Sequence, residues 1–207
     1  PDLGKQINLD AFKPLVSASK DAGVKKFIYA SSSSVYGIKE EKNVHEEMAL
    51  EPLTDYSKFK GECEKILNEH SSDEFITTTI RPSTVCGYAT RQRLDLVVNI
   101  LTNHAFHNRK IKVFGGQQLR PNVHIDDMVD SYLAILNADA KKINKEIFNV
   151  GFKNQTVNEL ASDGDYYTLD DYNNTFGHFE PIYSIDDGNS VWTADNNSRS
   201  SRVGCTT

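Results

Sequence analysis

The sequence predicts an α/β fold built on a parallel sheet with helices on both faces. Through residue 161 the apolar spacing switches repeatedly between helical and strand periods. Strands that alternate with helices pair in parallel through helical crossovers. Size agrees, because a chain of 207 residues is long enough to bury one sizeable core.

Each element follows from its residues. Ala11, Leu15 and Ala18 recur at helical spacing with Phe12 and Val16 beside them, and Gly23 can end that helix. Phe27-Ile28-Tyr29-Ala30 is a short apolar run suited to a buried parallel strand. After Pro52 a second helix is expected from near Thr54, with Phe59, Cys63, Ile66 and Leu67 on one face. Residues 75–80, rich in β-branched threonine, read as the next strand. Leu94, Val97, Val98 and Leu101 form another helical stripe, and residues 111–114 another strand. Val129, Tyr132, Leu133 and Leu136 mark a further helix, and residues 147–150 close the series. From Ser162 the pattern fails. Clusters such as Asp163-Gly164-Asp165 and Asp186-Asp187-Gly188 are turn formers, so irregular short strands or a poorly ordered tail are expected.

Composition narrows the classes of function. The net charge of −6 sits in the tail, where 8 acidic residues from 162 onward face only Arg199 and Arg202. A balanced body without a basic stripe argues against nucleic acid as the main partner. No apolar run is long enough to span a membrane, and no signal-peptide pattern opens the chain. Cys63, Cys86 and Cys205 have no metal-ligand spacing and leave one thiol unpaired, which fits a reducing, cytoplasmic setting. Helical pattern begins almost at Pro1, as expected for a piece of a longer protein.

Two segments carry chemistry: Ser31-Ser32-Ser33-Ser34-Val35-Tyr36-Gly37 after the first strand, and Tyr56-Ser57-Lys58-Phe59-Lys60 at the start of the second helix. Residues four apart share a helix face, so Tyr56 and Lys60 can point into one site. A phenol with a reference pKa of about 10 is a poor base near neutrality. A neighbouring ammonium favours the phenolate, so the tyrosine can remove a hydroxyl proton. A serine hydroxyl beyond a strand end can hydrogen-bond a developing oxyanion. The bland alternative for these residues is a solvated turn and an ordinary helix start.

With these motifs in view, the chain resembles the extended short-chain dehydrogenase/reductase family, in its NAD-dependent nucleotide-sugar epimerase/dehydratase branch. The resemblance rests on five ordered segments: residues 8–15, residues 26–37, Asp55 to Glu62, Arg81-Pro82-Ser83-Thr84-Val85-Cys86-Gly87, and residues 113–127. It implies a partial Rossmann-like, doubly wound parallel sheet with a small C-terminal substrate-binding portion. Residues 1–88 would form the latter part of the NAD domain, residues 89–161 would mix substrate-domain and returning sheet elements, and residues 162–207 would be an irregular acidic tail. Ser32 falls where the family's catalytic Ser/Thr stands, Tyr56 where its base stands, and Lys60 where its ribose-binding lysine stands. Asn8 matches an asparagine that supports the active-site helix. Arg81, Pro82 and Ser83 match a loop passing the nicotinamide. Ser33, Thr84, Val113, Phe114 and Arg120 fall at substrate positions, with Arg120 on the diphosphate or, alternatively, in a surface ion pair. Arg199 faintly matches a late diphosphate-binding arginine. His124 is read as structural, and Asp126-Asp127 as favouring a helix N-terminus. The resemblance also implies a homodimer formed through helices near residues 8–21 and 54–70.

Two departures shape the functional expectation. No glycine spacing matches the pyrophosphate-binding turn of the family. Ser33 and Ser34 stand where family dehydratases carry an acid, and a serine cannot protonate a leaving hydroxyl near neutral pH as a carboxylic acid can. The expectation is therefore an NAD-dependent 4-epimerase of a nucleotide sugar. The alternatives are a dehydratase or reductase of the same family, or a non-catalytic module that binds nucleotide sugars.

Overall fold

The computed structural model describes residues 2–41, 43–108, 110–162, 182–186 and 191–194. The chain forms two compact units, one of Pro1–Val85 with Asp126–Phe152, the other of Cys86–Ile125 with Lys153–Thr207. The boundary expected at residue 88 thus falls between 85 and 86, and the expected middle segment is divided, because residues 126–152 return to the first unit.

The first unit opens with a helical run. α1 (Asp2–Lys5) leads into a π-helical turn (Gln6–Asp10) and then α2 (Phe12–Asp21). Gly23, at φ +80°, turns the chain into β1 (Lys26–Ala30). A 3₁₀ turn (Ser33–Tyr36) follows, then α3 (Asp55–His70). Thr54 caps α3, its Oγ1 accepting from the Ser57 N–H at 3.2 Å. Asp55 in the first turn and His70 in the last suit the helix dipole. β2 (Ile76–Pro82) lies between β1 and β6 (Ile147–Val150), parallel to both. α5 (Ile125–Asn137) and the short α6 (Ala140–Ile143) precede β6.

Strand alternation builds a core on each face of this sheet. Phe27 and Tyr29 of β1 face Phe12 and Val16 of α2 and Cys63 and Leu67 of α3. Ile28 and Ala30 face the other way, with Ile76, Ile80, Phe148 and Val150, onto Met128 and Ile135 of α5. Helices therefore cover both faces, as a doubly wound sheet requires.

The apolar stripes that mark the expected helices are not in every case the faces they bury. Leu15 is exposed while Phe12 and Val16 are buried. In α5, Val129, Leu133 and Leu136 are exposed, and the buried positions are Met128 and Ile135. Apolar residues occupy two adjoining faces of each helix, and periodicity cannot choose between them. Leu94 precedes its expected helix, α4 (Val97–Asn108), and is exposed.

In the second unit, α4 and α7 (Val157–Ser162) enclose Leu101, Ala105, Ile111, Val113, Val157 and Ala161. β5 (Leu119–His124) pairs antiparallel with β7 (Lys153–Thr156). Neither strand was expected, since one contains Pro121 and the other is wholly polar. β3 (Thr84–Cys86) passes from one unit into the other. β4 (Lys110–Lys112) pairs antiparallel with β9 (Val191–Ala194), which pairs with β8 (Ile182–Asp186). The rest of the acidic tail lies outside the described residues. Among those described, no helix is long and apolar enough to cross a membrane.

Leu67→Ala, at a side chain 1% exposed, is expected to cost about 2–5 kcal/mol in urea denaturation. Leu133→Ala is expected to change stability by no more than about 0.5 kcal/mol. Equal losses would contradict the assignment of the buried faces.

Candidate active site

The first unit gathers its chemical side chains where the parallel strands end. β1 stops at Ala30, and Ser31 continues its pairing, its N–H donating to the Ile80 carbonyl at 2.8 Å. The chain then coils into the 3₁₀ turn. Ser32 caps that turn, its Oγ accepting from the Ser34 N–H at 3.2 Å and from the Ser34 hydroxyl at 2.9 Å. Two accepted bonds leave the Ser32 proton available for donation. Gly37, at φ +74°, ends the turn, and a Cβ there would overlap the Glu51 carbonyl oxygen. A glycine is required at that crossing.

α3 packs against this turn and against β2. Tyr56, in its first turn, is 48% exposed. Lys60, one turn later, is half-buried, and its Nζ donates to the Ala30 carbonyl at 2.7 Å. The same ammonium lies 5.6 Å from the Tyr56 ring centroid and 4.9 Å from that of Tyr29. The expected Tyr56–Lys60 juxtaposition is present, with Lys60 tied to the strand that leads into the serine run. Burial, the largest influence, lowers the Lys60 pKa from the ordinary lysine value, against an opposing effect of Cys63.

Beneath the turn lies a network absent from the sequence reading. Arg81 is buried, its Nε and Nη2 forked onto the Glu64 carboxylate at 3.1 and 2.7 Å. Its Nη1 donates to the Tyr36 hydroxyl at 2.8 Å and to the Glu46 carbonyl at 3.1 Å. Tyr36 in turn donates to Asn149 Oδ1 at 2.7 Å, and the Asn149 N–H donates to Glu46 Oε1 at 2.6 Å. Burial is the largest influence and pulls the Arg81 pKa down, but the Glu64 and Tyr36 bonds outweigh it and the net is raised. The guanidinium is thus engaged inside the protein, and at Arg81 the main chain is what remains for the expected loop passing a nicotinamide. Glu64 follows Lys60 by four, so helical spacing was a signal that could have found it.

Pro82 ends β2 and Ser83 follows it, the Ser83 N–H donating to the Val150 carbonyl at 2.7 Å. The hydroxyls of Ser31 and Ser83 are buried and have no hydrogen-bond partner. Buried polar groups in native proteins nearly always have one, so the strand ends hold two groups suited to a bound molecule or water. Asn8 lies in the π-helical turn. Its side chain bonds the Gly4 carbonyl at 2.9 Å, and its own carbonyl accepts from the Cys63 thiol at 3.1 Å.

Ser33 is half-buried in the turn, and Thr84 is half-buried in β3. The remaining expected substrate positions belong to the second unit. Val113 is buried, whereas Phe114 is 73% exposed with Lys112 Nζ 4.9 Å over its ring. Arg120 is exposed on β5, its Nη1 donating to the Leu119 carbonyl at 3.1 Å. His124 ends β5, and Asp126 and Asp127 lie in the first turn of α5. Arg199 lies outside the described residues.

A parallel sheet with helices on both faces, and with polar side chains gathered at its strand ends, has the architecture of a dinucleotide-cofactor domain. Residues 2–151 match the model of the NAD dependent epimerase/dehydratase family, and the chain belongs to that family of enzymes, in the extended short-chain dehydrogenase/reductase branch. An uncharacterized UDP-glucose epimerase YtcB from Bacillus subtilis is 34% identical over 131 residues, 62% of this chain and 40% of that protein. The human dTDP-D-glucose 4,6-dehydratase is 31% identical over 147 residues, 70% of this chain and 41% of that one. Among solved structures, the UDP-glucuronic acid 4-epimerase from Bacillus cereus, in complex with UDP-glucuronic acid and NAD, superposes with a TM-score of 0.64 at 29% identity. That superposition covers 72% of this chain and 48% of the other. The chain spans less than half the length of the curated relatives it matches.

Arg81→Met is expected to destabilise the chain by about 3–5 kcal/mol, because Glu64 is left charged and buried without a partner. The double variant Arg81→Met/Glu64→Leu should lose less than the single. A double-mutant cycle in urea reads the coupling, and additive losses would contradict it.

Proposed function

We propose that this chain carries the proton-transfer half of an NAD-dependent nucleotide-sugar 4-epimerase. The observation that carries the reading is the Lys60 ammonium, bonded to Ala30 and near the Tyr56 ring, beside a turn whose Ser32 hydroxyl is free to donate. NAD, when bound, supplies the acceptor for hydride from C4 of the sugar and the donor for its return. Tyr56 Oη removes the proton of the 4-hydroxyl and gives it back after the ketone has turned its other face. Ser32 Oγ donates a hydrogen bond to the C4 oxygen as its charge changes. Lys60 favours the phenolate electrostatically and has N–H groups beyond the one on Ala30 for the ribose hydroxyls.

The residues present fit the nicotinamide-ribose half of the cofactor. Lys60 and Tyr56 would hold the ribose, and the unpartnered Ser31 and Ser83 hydroxyls lie at the strand ends, where such sheets bind ligands. No glycine-rich turn in the sequence offers a pyrophosphate cradle. Epimerisation is preferred to dehydration because Ser33 and Ser34 lack an acid that could protonate a leaving hydroxyl. Thr84, Val113, Phe114 and Arg120 are proposed for the nucleotide sugar, and Arg120 suits a diphosphate because guanidinium binds its oxygens bidentately. The alternative reading is a module that binds the nucleotide sugar without turning it over. A cytoplasmic location and a homodimer belong to the main proposal. The buried thiol of Cys63, and the exposed Leu3, Ile7 and Leu15 of the first helical run, are in keeping with them.

With NAD and a UDP-hexose supplied, the expected product is the 4-epimer, separated by chromatography, and not a 4-keto-6-deoxy sugar. Tyr56→Phe should reduce turnover by about 100-fold or more. Undiminished turnover in that variant would refute the mechanism. Calorimetric binding of the UDP-sugar with neither NAD binding nor turnover would favour the second reading.

A further inference from the structure

We propose that Tyr29 is a positioning residue for Lys60: its ring and that of Tyr56 form an aromatic clamp that holds the ammonium against the Ala30 carbonyl. This inference rests on the reading of Lys60 as the lysine of the proton-transfer site. Its distances are those of cation–π contact, 4.9 Å to the Tyr29 centroid and 5.6 Å to that of Tyr56, with a hydrogen bond of 2.7 Å to Ala30.

The two walls differ in rigidity. Tyr56 is half exposed at the start of α3, whereas Tyr29 is buried in the core, its ring 4.6 Å from that of Phe12. Tyr29 therefore offers a fixed face, set by packing rather than by the ligand. Its phenol stays protonated, because burial first, and then Cys63, hold its pKa well above the ordinary tyrosine value. The wall is thus a neutral ring, not a counter-ion.

The clamp matters because the surroundings supply little compensating charge. Among the described residues, no carboxylate forms an ion pair with Lys60. On α3, Glu64 is held by Arg81 and Glu62 pairs with Lys65 at 2.8 Å, while Asp55 and Lys58 pair with each other at 3.5 Å. Cys63 beside it donates to the Asn8 carbonyl. On the helical run packed against α3, Asp10 pairs with Lys5, and Asp2, Lys13, Lys20 and Asp21 are exposed. The 3₁₀ turn offers hydroxyls and the Tyr36 phenol, and β2 offers Arg81. A half-buried ammonium in such a place loses hydration, and a ring quadrupole is what offsets that loss.

The test reads Lys60 itself. In the labelled full chain, the Lys60 ε-carbon resonance, identified by its loss in Lys60→Arg, is titrated by NMR. Tyr29→Phe keeps the ring face and should leave the midpoint within about 0.2 pH unit of the parent. Replacing Tyr29 by 3,4,5-trifluorophenylalanine keeps nearly the same shape but cancels much of the ring quadrupole. It should lower the midpoint by about half a pH unit or more, since loss of the attraction disfavours the charged form. Urea midpoints for both variants verify that the fold is kept. A trifluorinated variant whose midpoint equals that of Tyr29→Phe would overturn the inference. The mechanism is judged separately by turnover of Tyr56→Phe: a shifted Lys60 midpoint with undiminished turnover supports the clamp and removes the mechanism, and the reverse pattern does the opposite.

Discussion

The ion pair between Arg81 and Glu64 is the constraint on which the first unit depends. Arg81 is the penultimate residue of the central strand, Glu64 sits on α3, and the guanidinium's remaining donors reach Tyr36 in the serine turn and the main chain at Glu46. Four segments distant in sequence are thereby tied to one planar group. A buried charge is tolerated only when paired and hydrogen-bonded, and here the pairing sets where the turn lies against the helix. Leucine at either position would pack, but it would not specify that alignment.

Above this network the site combines two kinds of placement. Ser32 is positioned by main-chain geometry, as the cap of a short turn that Gly37 allows to end sharply. Lys60 is positioned by its surroundings, between a carbonyl and two rings. The first placement is cheap to form and local. The second needs β1, α2 and α3 already packed, because the Tyr29 ring is held by Phe12 from a different helix.

Much of this was legible in the residues. The alternation of elements, the cap at Thr54, the serine turn after β1 and the four-residue spacing of Tyr56 and Lys60 are all local signals. The buried faces of α2 and α5 were not legible, because both helices carry apolar residues on adjoining faces, and only packing selects Val16 over Leu15 or Ile135 over Leu136. β5 and β7 were invisible because their stabilisation is cross-strand pairing, not apolar alternation. The engagement of Arg81 was not legible, because its sequence neighbours do not reveal that Glu64, seventeen residues earlier, reaches it.

By itself the sequence determined the fold class, the family and the four-residue spacing of Tyr56 and Lys60, because these depend on period, turn chemistry and short spacings. Only the tertiary structure decided which apolar face is buried, that Arg81 is an internal tie, and that Lys60 sits between two rings. Those outcomes depend on which distant side chains meet once two cores have closed on the sheet. Burial and electrostatic pairing between such partners have no local pattern in the chain.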